Sequence, residues 1–277
     1  MANVLHQTVE CLFKQQQLVL IAGPCVMESL DSVLRHCDRL MSMTQKYRIP
    51  LIFKASFDKA NRTSVHSFRG FGLTQGMQFF VELKKRFAVP VLTDVHETWQ
   101  CQHVAEVVDI LQIPAYLCRQ TDLILAAAAT GRPINIKKGQ FLAPEDMAHA
   151  ILKAKEGACE HVSLTERGSC FGYRDLVVDM RALLTMGHLK VPVIFDATHS
   201  VQQPGAKGGS TGGQRLMALP LARAAVAVGV DAIFAEVHEK PDEALSDGPN
   251  SLSFELFELF LEQVVAFDRL RRQIVLQ

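Results

Sequence analysis

Residues 51–64, LIFKASFDKANRTS, form a short apolar run that leads directly into a dense group of cations and hydroxyl or amide donors. The run is typical of an interior strand, and Lys54, Lys59 and Arg62 follow with only Asp58 to offset their charge. Arginine and lysine form charge-assisted hydrogen bonds with phosphate and carboxylate. The stretch therefore predicts a strand end that holds more than one anionic oxygen, and the alternative is a solvated basic loop.

Composition limits the kind of ligand that such a strand end can serve. The chain has 277 residues, 48% of them apolar, and a formal net charge of zero. A neutral chain has no global field that would recruit nucleic acid or an anionic membrane. Any anion site must be local, which favours a small-molecule substrate and predicts no nucleic-acid partner and no membrane partner.

The sequence also indicates the compartment. No run approaches the roughly 18 apolar residues of a membrane span, and the first twenty residues lack the basic start and apolar core of a signal peptide. Seven cysteines are scattered without a CxxC pair. An odd number of dispersed cysteines fits a reducing cytoplasm better than a disulfide framework.

Short β-branched runs alternate with longer amphipathic stretches along the whole chain, which predicts repeated βα units around a parallel sheet. The predicted strands are 18–22, 51–56, 90–94, 108–112, 133–137, 160–165, 192–196 and 232–236. The predicted helices are 29–47, 73–87, 97–106, 121–130, 144–156, 175–186, 213–229 and 251–272. Eight such pairs indicate an α/β fold, a TIM (β/α)8 barrel of about 250 residues. We expect one catalytic domain, 18–277, with an N-terminal appendage, 1–17, that caps the barrel floor.

Polar groups at the predicted strand ends support this fold, because the active sites of such barrels lie on the C-terminal face. Strand alternation predicts that several of these groups point inward. In chain order they are Cys25, Lys54 with Ser56, Asp94, Gln112, Lys137, Arg167, Asp196 with His199, and Glu236.

Cations arrive at this rim from three different strands. Lys54, Lys59, Lys137 and Arg167 would repel one another without an anion between them, so they predict a phosphate or carboxylate ligand. For Lys137 the alternative is an ordinary charged turn with Lys138, although alternation favours Lys137 inside and Lys138 outside. For Arg167 the alternative is a surface residue at a helix start.

A second group at the rim consists of soft or anionic ligands, Cys25, His199, Glu236 and Asp247. Together they describe a site for a divalent ion such as Fe²⁺, Mn²⁺, Co²⁺ or Zn²⁺. They come from strands one, seven and eight, which are neighbours in a closed eight-stranded barrel. Taken singly, each residue has an ordinary structural explanation, such as a buried thiol or a turn aspartate. Asp196 either orients His199 or caps the strand end.

The glycine-rich stretch 204–213, PGAKGGSTGG, follows the seventh predicted strand. It matches no phosphate-loop pattern. Its length and glycine content favour a mobile lid over a phosphate cradle.

Seven segments carry a close resemblance to a known family. They are AGPCVMES, FKASFDKANRTSVHSFRG, TDVHE, INIKKGQF, ERGSCFGYRDLVVDM, FDATHSVQ and FAEVHEKPDEALSDGPN. From about Leu18 onward the chain resembles the 3-deoxy-D-manno-octulosonate 8-phosphate synthases. The resemblance implies a cytoplasmic homotetramer that condenses phosphoenolpyruvate with D-arabinose 5-phosphate for lipopolysaccharide biosynthesis.

The resemblance also assigns residues. It implies phosphoenolpyruvate binding by Lys54, Ser56, Lys59, Gln112, Lys137 and Arg167, and arabinose 5-phosphate binding by Asn61, Arg62, Thr63, Ser64 and Asp94. Lys59, Lys137, Asp94, His199 and Cys25 are the expected catalytic group. Family members with cysteine at the position of Cys25 require a divalent metal, which implies the ligands Cys25, His199, Glu236 and Asp247 and no organic cofactor.

Two alternative functions stay open from the sequence. The related 3-deoxy-7-phosphoheptulonate synthases use erythrose 4-phosphate and share the barrel and the ligand set, but they carry KPRTS where this chain has KANRTS. A catalytically silent barrel that binds sugar phosphates is the other alternative, and the metal ligands argue against it.

Overall fold

The structure is a computed structural model that describes residue 13 and residues 17–62, 64–173, 175–204 and 212–274. Its central feature is a closed barrel of eight strands, each parallel to its neighbours. The strands are β1 (Val19–Gly23), β2 (Leu51–Lys54), β3 (Val91–Asp94), β4 (Ile110–Ile113), β5 (Ile134–Lys137), β6 (Val162–Glu166), β7 (Val193–Asp196) and β8 (Ala232–Glu236). β1 closes the barrel by pairing with both β2 and β8. The predicted TIM (β/α)8 barrel is confirmed.

Helices follow the strands and cover the outside of the barrel. They are α1 (Leu30–Tyr47), α2 (Gly72–Phe87), α3 (Thr98–Ala105), α4 (Thr121–Ala128), α5 (Met147–Glu156), α6 (Arg181–Gly187), α7 (Ala218–Val228) and α8 (Phe254–Gln273). The two longest begin at serine caps, Ser29 and Ser253, whose side chains accept backbone N–H bonds from the first turn. Within the described ranges, no helix combines the length and hydropathy needed to cross a membrane.

The two largest differences from the predicted helices are at the starts of α6 and α7, which begin at Arg181 and Ala218 where residues 175 and 213 were expected. Residues 175–177 pair antiparallel with 169–171 as a hairpin, because Gly172 at φ 71° supplies the turn, and α6 starts only at Arg181. Residues 212–213 pair with 202–203, so a short 3₁₀ turn precedes α7. In both places, pairing with another segment overrides a local helical pattern.

The barrel has two apolar layers, as strand alternation requires. One layer lies between strands and helices and includes large buried side chains such as Phe53 and Phe80. The other fills the barrel interior and is built from inward-facing residues such as Ile21, Ile52 and Phe234. Phe13 packs against this inner layer, while residues 1–12 and 14–16 of the predicted appendage lie outside the described residues. The domain boundary at residue 17 stays a prediction.

Candidate active site

The carboxyl ends of the barrel strands surround a cavity of about 370 Å³. Ten of the predicted site residues line it, namely Lys54, Lys59, Asn61, Arg62, Asp94, Lys137, Arg167, His199, Glu236 and Asp247. They come from distant parts of the chain, and only the closed barrel brings them together. The lining includes five cationic side chains and three carboxylates, so the cavity of this neutral chain carries an excess of positive charge.

Three predicted ligands of a metal ion lie side by side at one wall of the cavity. Cys25, Glu236 and Asp247 each place a ligand atom within 4.8 Å of the others. Cys25 follows β1, Glu236 ends β8, and Asp247 lies in the loop after β8. The Cys25 Sγ–Asp247 Oδ2 distance is 3.4 Å.

His199 faces the same group from the end of β7. Its Nε2 lies 3.6 Å from Glu236 Oε2 and 3.8 Å from Asp247 Oδ2. Its Nδ1 lies 2.7 Å from Asp196 Oδ2, and its backbone N–H donates to Asp196 Oδ1 at 2.9 Å. Asp196 therefore both orients the ring and caps the backbone, so the two roles left open by the sequence coexist.

Burial and neighbouring charges set the protonation of two members of this group, Cys25 and Glu236. Burial raises the pKa of the Cys25 thiol well above 9.0, and the negative charges of Glu236 and Asp247 act in the same direction against Lys59 and Lys54. A bound metal ion reverses this preference, because coordination deprotonates a thiol. Burial would raise the pKa of Glu236, but Lys54, His199 and Lys59 outweigh it and hold that pKa at about 2.

One oxygen of this set has no partner in the described structure. Glu236 Oε1 accepts from Lys54 Nζ at 2.9 Å, whereas Glu236 Oε2 is buried without a hydrogen bond. A buried acceptor without a donor is costly. Glu236 Oε2, the Cys25 sulfur, the Asp247 carboxylate and the His199 Nε2 thus form a donor set that fits a divalent metal ion.

Asp94 is a second anionic centre of the cavity, and its Oδ2 lies 4.0 Å from the same Lys54 Nζ that bonds Glu236. Ser56 Oγ and Gln112 Nε2 both donate to its carboxylate. Burial would raise the pKa of Asp94, but the charges of Lys54, Lys59 and Lys137 outweigh it and hold that pKa far below 3.8. Ser56 and Gln112, which the resemblance assigned to substrate, therefore lie against Asp94.

Lys137 and Arg167 contribute further cationic donors to the cavity. Lys137 Nζ donates to Asp196 Oδ2 at 2.6 Å and lies 4.1 Å from the centre of the Phe234 ring. Arg167 Nη2 donates to Gln202 Oε1 at 2.7 Å, while its Nη1 is buried without a partner in the described structure. Both residues line the cavity, so the surface alternative for Arg167 is wrong.

The loop after β2 forms the mouth of the cavity. Asn61 and Arg62 line it, and the Arg62 guanidinium donates to Lys59 O at 3.5 Å and to Val65 O at 3.1 Å. Ser64 Oγ accepts a bond from the His66 N–H at 3.2 Å. Thr63 lies outside the described residues.

Comparison with known proteins identifies the family to which this barrel belongs. The model of the DAHP synthetase I family matches residues 10–272. The chain belongs to this family.

Curated relatives narrow the comparison further within the DAHP synthetase I family. The chain is 58% identical over 251 residues to the 2-dehydro-3-deoxyphosphooctonate aldolase of Cyanothece sp.. The aligned region covers 91% of this chain and 92% of that relative. It is 57% identical over 257 residues to the proteins of the same name from Brucella ovis and Brucella melitensis, with 93% of each chain covered.

In this member of the DAHP synthetase I family, the sequence prediction missed several cavity residues. Gln140 Oε1 and His96 Nδ1 are buried without a hydrogen bond in the described structure, and both side chains line the cavity. Each lies two or three residues beyond a strand end. That position is the sequence signal by which both residues could have been predicted. Ser67 and Phe68 also line the cavity, but their loop gives no local sign of its path.

Lys138 differs from its prediction. Alternation places it on the outer face of β5, as expected, yet its side chain is fully buried. Its Nζ donates to Ser169 Oγ at 3.0 Å and lies 3.6 Å from Glu166 Oε2. The hairpin 169–177 covers this position, so the ordinary charged turn is wrong.

The glycine-rich stretch is only partly described. Pro204 lines the cavity, and Gln202–Gln203 pairs with Gly212–Gly213. Residues 205–211, which carry the lid and cradle hypotheses, lie outside the described residues.

Proposed function

We propose that this chain condenses phosphoenolpyruvate with D-arabinose 5-phosphate and water to give 3-deoxy-D-manno-octulosonate 8-phosphate and inorganic phosphate. The observation that carries the proposal is a single cavity in which five cations surround a group of metal-ligand type. Two anionic substrates need clustered cations to cancel their mutual repulsion. The relatives named 2-dehydro-3-deoxyphosphooctonate aldolase support this choice of substrates, because that name denotes the same enzyme.

The enolpyruvate half of the site would be held by Lys59, Lys137 and Arg167. Arg167 Nη1 is the most direct candidate, because it is buried and without a partner among the described residues. A guanidinium donor binds carboxylate and phosphate oxygens in a fixed geometry. Of the other assigned residues, Ser56 and Gln112 would act by holding Asp94. Lys54 would add a buried positive charge beside Glu236, to which its Nζ donates at 2.9 Å.

The sugar-phosphate half would be held by the loop after β2. Asn61 and Arg62 face the cavity from this loop, and Asp94 faces them from the end of β3. We assign the sugar phosphate to Asn61, Arg62, Thr63 and Ser64, and a sugar hydroxyl to the ionised Asp94 carboxylate.

The reaction forms two σ bonds to carbon and breaks one, and it consumes the π bonds of the enol and of the aldehyde. One proton of the water passes to the aldehyde oxygen, and the other leaves with phosphate when the keto group forms. The enol methylene carbon attacks the sugar aldehyde, water adds to the adjacent carbon, and the hemiketal phosphate loses phosphate by cleavage of its C–O bond. Lys137 would neutralise charge that develops on the substrates, and Asp196 holds both Lys137 and His199 in position. Much of the catalysis is therefore positioning.

The residues that would hold a divalent metal are Cys25, His199, Glu236 and Asp247. When bound, such an ion polarises an oxygen or lowers the pKa of a water molecule. Fe²⁺, Mn²⁺, Co²⁺ and Zn²⁺ all suit a mixture of thiolate, imidazole and carboxylate. We propose no organic cofactor, and we carry over the homotetramer and the cytoplasmic location from the resemblance as predictions.

Phosphate release from phosphoenolpyruvate tests the proposal directly. The purified chain is assayed with arabinose 5-phosphate and with erythrose 4-phosphate, each before and after exhaustive chelation, with elemental analysis of the protein. We expect release with arabinose 5-phosphate, loss on chelation and recovery with added divalent metal.

The other outcomes separate the alternatives. Preferred use of erythrose 4-phosphate would assign the heptulonate reaction. No release with either aldose, despite bound metal, would favour a binding barrel. Full activity in protein that contains no metal would contradict the proposed metal site but not the proposed reaction.

A further inference from the structure

The loop that carries the proposed sugar-phosphate residues leaves and re-enters the barrel at one narrow neck. Asp58 stands at its start and Arg69 at its end, eleven residues apart. Arg69 Nε donates to Asp58 Oδ1 at 2.8 Å, and Arg69 Nη2 donates to Asp58 Oδ2 at 3.1 Å. This bidentate geometry fixes both distance and orientation.

Backbone contacts reinforce the same neck. The Lys59 N–H donates to Arg69 O at 2.7 Å, and the Gly72 N–H donates to Phe57 O at 3.2 Å. Gly70 has φ 112°, and a Cβ there would lie 2.4 Å from Phe57 O. A glycine is therefore required where the returning chain crosses the outgoing one.

The two sides of the ion pair differ in their surroundings. The Asp58 side chain is 7% exposed, whereas the Arg69 side chain is 61% exposed. A buried carboxylate needs a partner, and the exposed guanidinium can supply it only if the loop end stays in place. The pair therefore links the position of a surface loop to a fixed residue next to β2.

Inside the loop, the side-chain bonds of the binding residues are local. Arg62 donates to Lys59 O and Val65 O, and Ser64 accepts from His66 N. These bonds shape the loop but do not attach it to the barrel. Among the described contacts, its placement over the cavity thus depends on the neck, beside which the Phe68 ring meets the Phe71 ring edge-on with 6.0 Å between the ring centres.

We propose that Asp58 and Arg69 are positioning residues, an ionic clamp that holds the loop 59–68 in the geometry that receives the sugar phosphate. The clamp touches neither substrate. It rests on the proposed function for the identity of the ligand, and on the neck geometry alone for its effect on the loop. Neutralising it should raise the KM for the sugar phosphate while leaving the enolpyruvate half in place, because the Lys59–Arg69 bond is made by the backbone and survives substitution.

The test compares Asp58→Asn, Arg69→Ala, Arg69→Lys and the double variant Asp58→Asn/Arg69→Ala with the parent. Arg181→Ala is the matched control, because Arg181 forms a similar bidentate pair with Asp179 away from the cavity. Steady-state kinetics are measured for each substrate, and hydrogen exchange is measured for the ligand-free protein. If Asp58→Asn fails to fold, Arg69→Ala carries the test, since Arg69 is largely exposed.

We expect Asp58→Asn and Arg69→Ala each to raise the KM for arabinose 5-phosphate about tenfold, the equivalent of one lost charge-assisted interaction. The KM for phosphoenolpyruvate and kcat should stay within about twofold. Exchange should quicken in residues 60–68 only, because the Lys59 N–H keeps its backbone bond to Arg69 O. Arg69→Lys should recover part of the loss, and the double variant should resemble the single ones. Arg181→Ala should match the parent.

An unchanged KM for the sugar phosphate, a parallel rise in both KM values, or faster exchange throughout the barrel would overturn the clamp. Failure of the parent to use arabinose 5-phosphate would instead overturn the proposed function. In that event, the exchange of residues 60–68 still decides whether the clamp orders the loop.

Discussion

At the scale of single residues, Asp196 is the group on which most of the proposed chemistry depends. One oxygen, Oδ2, lies 2.6 Å from Lys137 Nζ and 2.7 Å from His199 Nδ1. Burial would raise the pKa of Asp196, but His199 and Lys137 outweigh it and hold that pKa far below 3.8. A single ionised carboxylate thus orients a proposed metal ligand and a proposed substrate cation together.

Asp196→Asn should weaken metal binding by about 10- to 100-fold, because an amide nitrogen cannot replace the oxygen shared by His199 and Lys137. Metal content after dialysis against graded chelator, together with circular dichroism to check folding, measures the effect. Asp231→Asn is the control, since Asp231 stands just before β8, accepts from the Val193 N–H of β7 at 2.7 Å and is not one of the residues that line the cavity. Equal metal retention in a folded Asp196→Asn variant would contradict this role.

The site residues show which features a sequence can predict. Lys54, Asp94 and Lys137 were predicted from strand alternation, and each lies in or beside the cavity as expected. The attachment of Ser56 to Asp94 was not predictable, because those residues are 38 positions apart. The alternation of residues along a strand predicts the side to which a side chain points. It does not predict which residue that side chain contacts there.

At the scale of elements, the contact between β1 and β2 sets the position of Cys25. A Cβ on Gly23 would lie 1.9 Å from Lys54 O and 2.9 Å from Lys54 C. Side chains do not approach backbone atoms so closely, so only glycine allows the two strand ends to meet here. The proposed metal group therefore depends on a residue that supplies no ligand.

Gly23→Ala should lower the free energy of unfolding by about 1–3 kcal/mol or more, because the strands must separate to admit the methyl group. Urea unfolding of the purified variant measures this change. Gly187→Ala is the control, since a Cβ there meets no atom within 4 Å, and it should be neutral or stabilising by about 0.4–1 kcal/mol. A Gly23→Ala variant as stable as the parent would show that the strand ends adjust freely.

Helix α1 is joined to the loop after β8 through a buried histidine. His36 Nδ1 donates to Ser32 O at 2.7 Å, and His36 Nε2 accepts from the Glu239 N–H at 3.2 Å. Burial lowers the pKa of His36 from 6.5, the Ser32 carbonyl raises it in part, and the neighbouring His238 lowers it further. Both ring nitrogens are used in the neutral form, so protonation would break the bond from Glu239.

The unfolded chain should therefore bind a proton at His36 more readily than the folded chain. This contribution to stability is present above pH 6.5 and is lost progressively as the pH falls from 6.5 toward the folded-state pKa. Urea unfolding of the parent and of His36→Gln between pH 5 and pH 8, roughly the range in which histidine titrates, measures it. The parent should lose more stability on acidification than the variant.

His149→Gln, at an exposed position of α5, is the control. Its free energy of unfolding should change with pH as steeply as that of the parent. The comparison must be between variants, because Glu28 raises the pKa of the adjacent His238, which acts in the opposite direction. If the free energy of unfolding fell equally steeply with pH in the parent and in His36→Gln, the prediction would be contradicted.

Among the elements, the segment 169–187 shows where local pattern fails. Residues 175–186 have a helical pattern, but 175–177 pair with 169–171 and cover Lys138. The eight barrel strands were predictable because each is a short, uniformly buried run. A hairpin between a strand and its helix lacks that signal.

At the scale of the whole molecule, charge is separated although the net charge is zero. Positive charge is concentrated in the cavity, where five cations face three carboxylates. Fixed cations in a largely enclosed site favour anions more strongly than the same charges on the surface. Anion binding should therefore stabilise the whole barrel.

Phosphoenolpyruvate at about 100 times its Kd should raise the free energy of unfolding by about 2.7 kcal/mol, because it binds the folded chain only. Thermal unfolding with increasing ligand measures the rise. D-arabinose, which lacks phosphate, is the uncharged control and should shift the midpoint little, and Arg167→Ala should reduce the shift by phosphoenolpyruvate. Equal stabilisation by the uncharged sugar would argue against an anion site.

The sequence by itself determined the alternation of eight strands and helices, the polar residues at the strand ends and the family, because burial and residue spacing are local properties of a chain. Only the tertiary structure decided which of those residues meet. Closure of β8 against β1 brings Glu236 beside Cys25, and the loop after β8 returns Asp247 to the same point. The neck at Asp58 and Arg69 arises in the same way. Such contacts depend on how the chain returns through space, and no local pattern records that path.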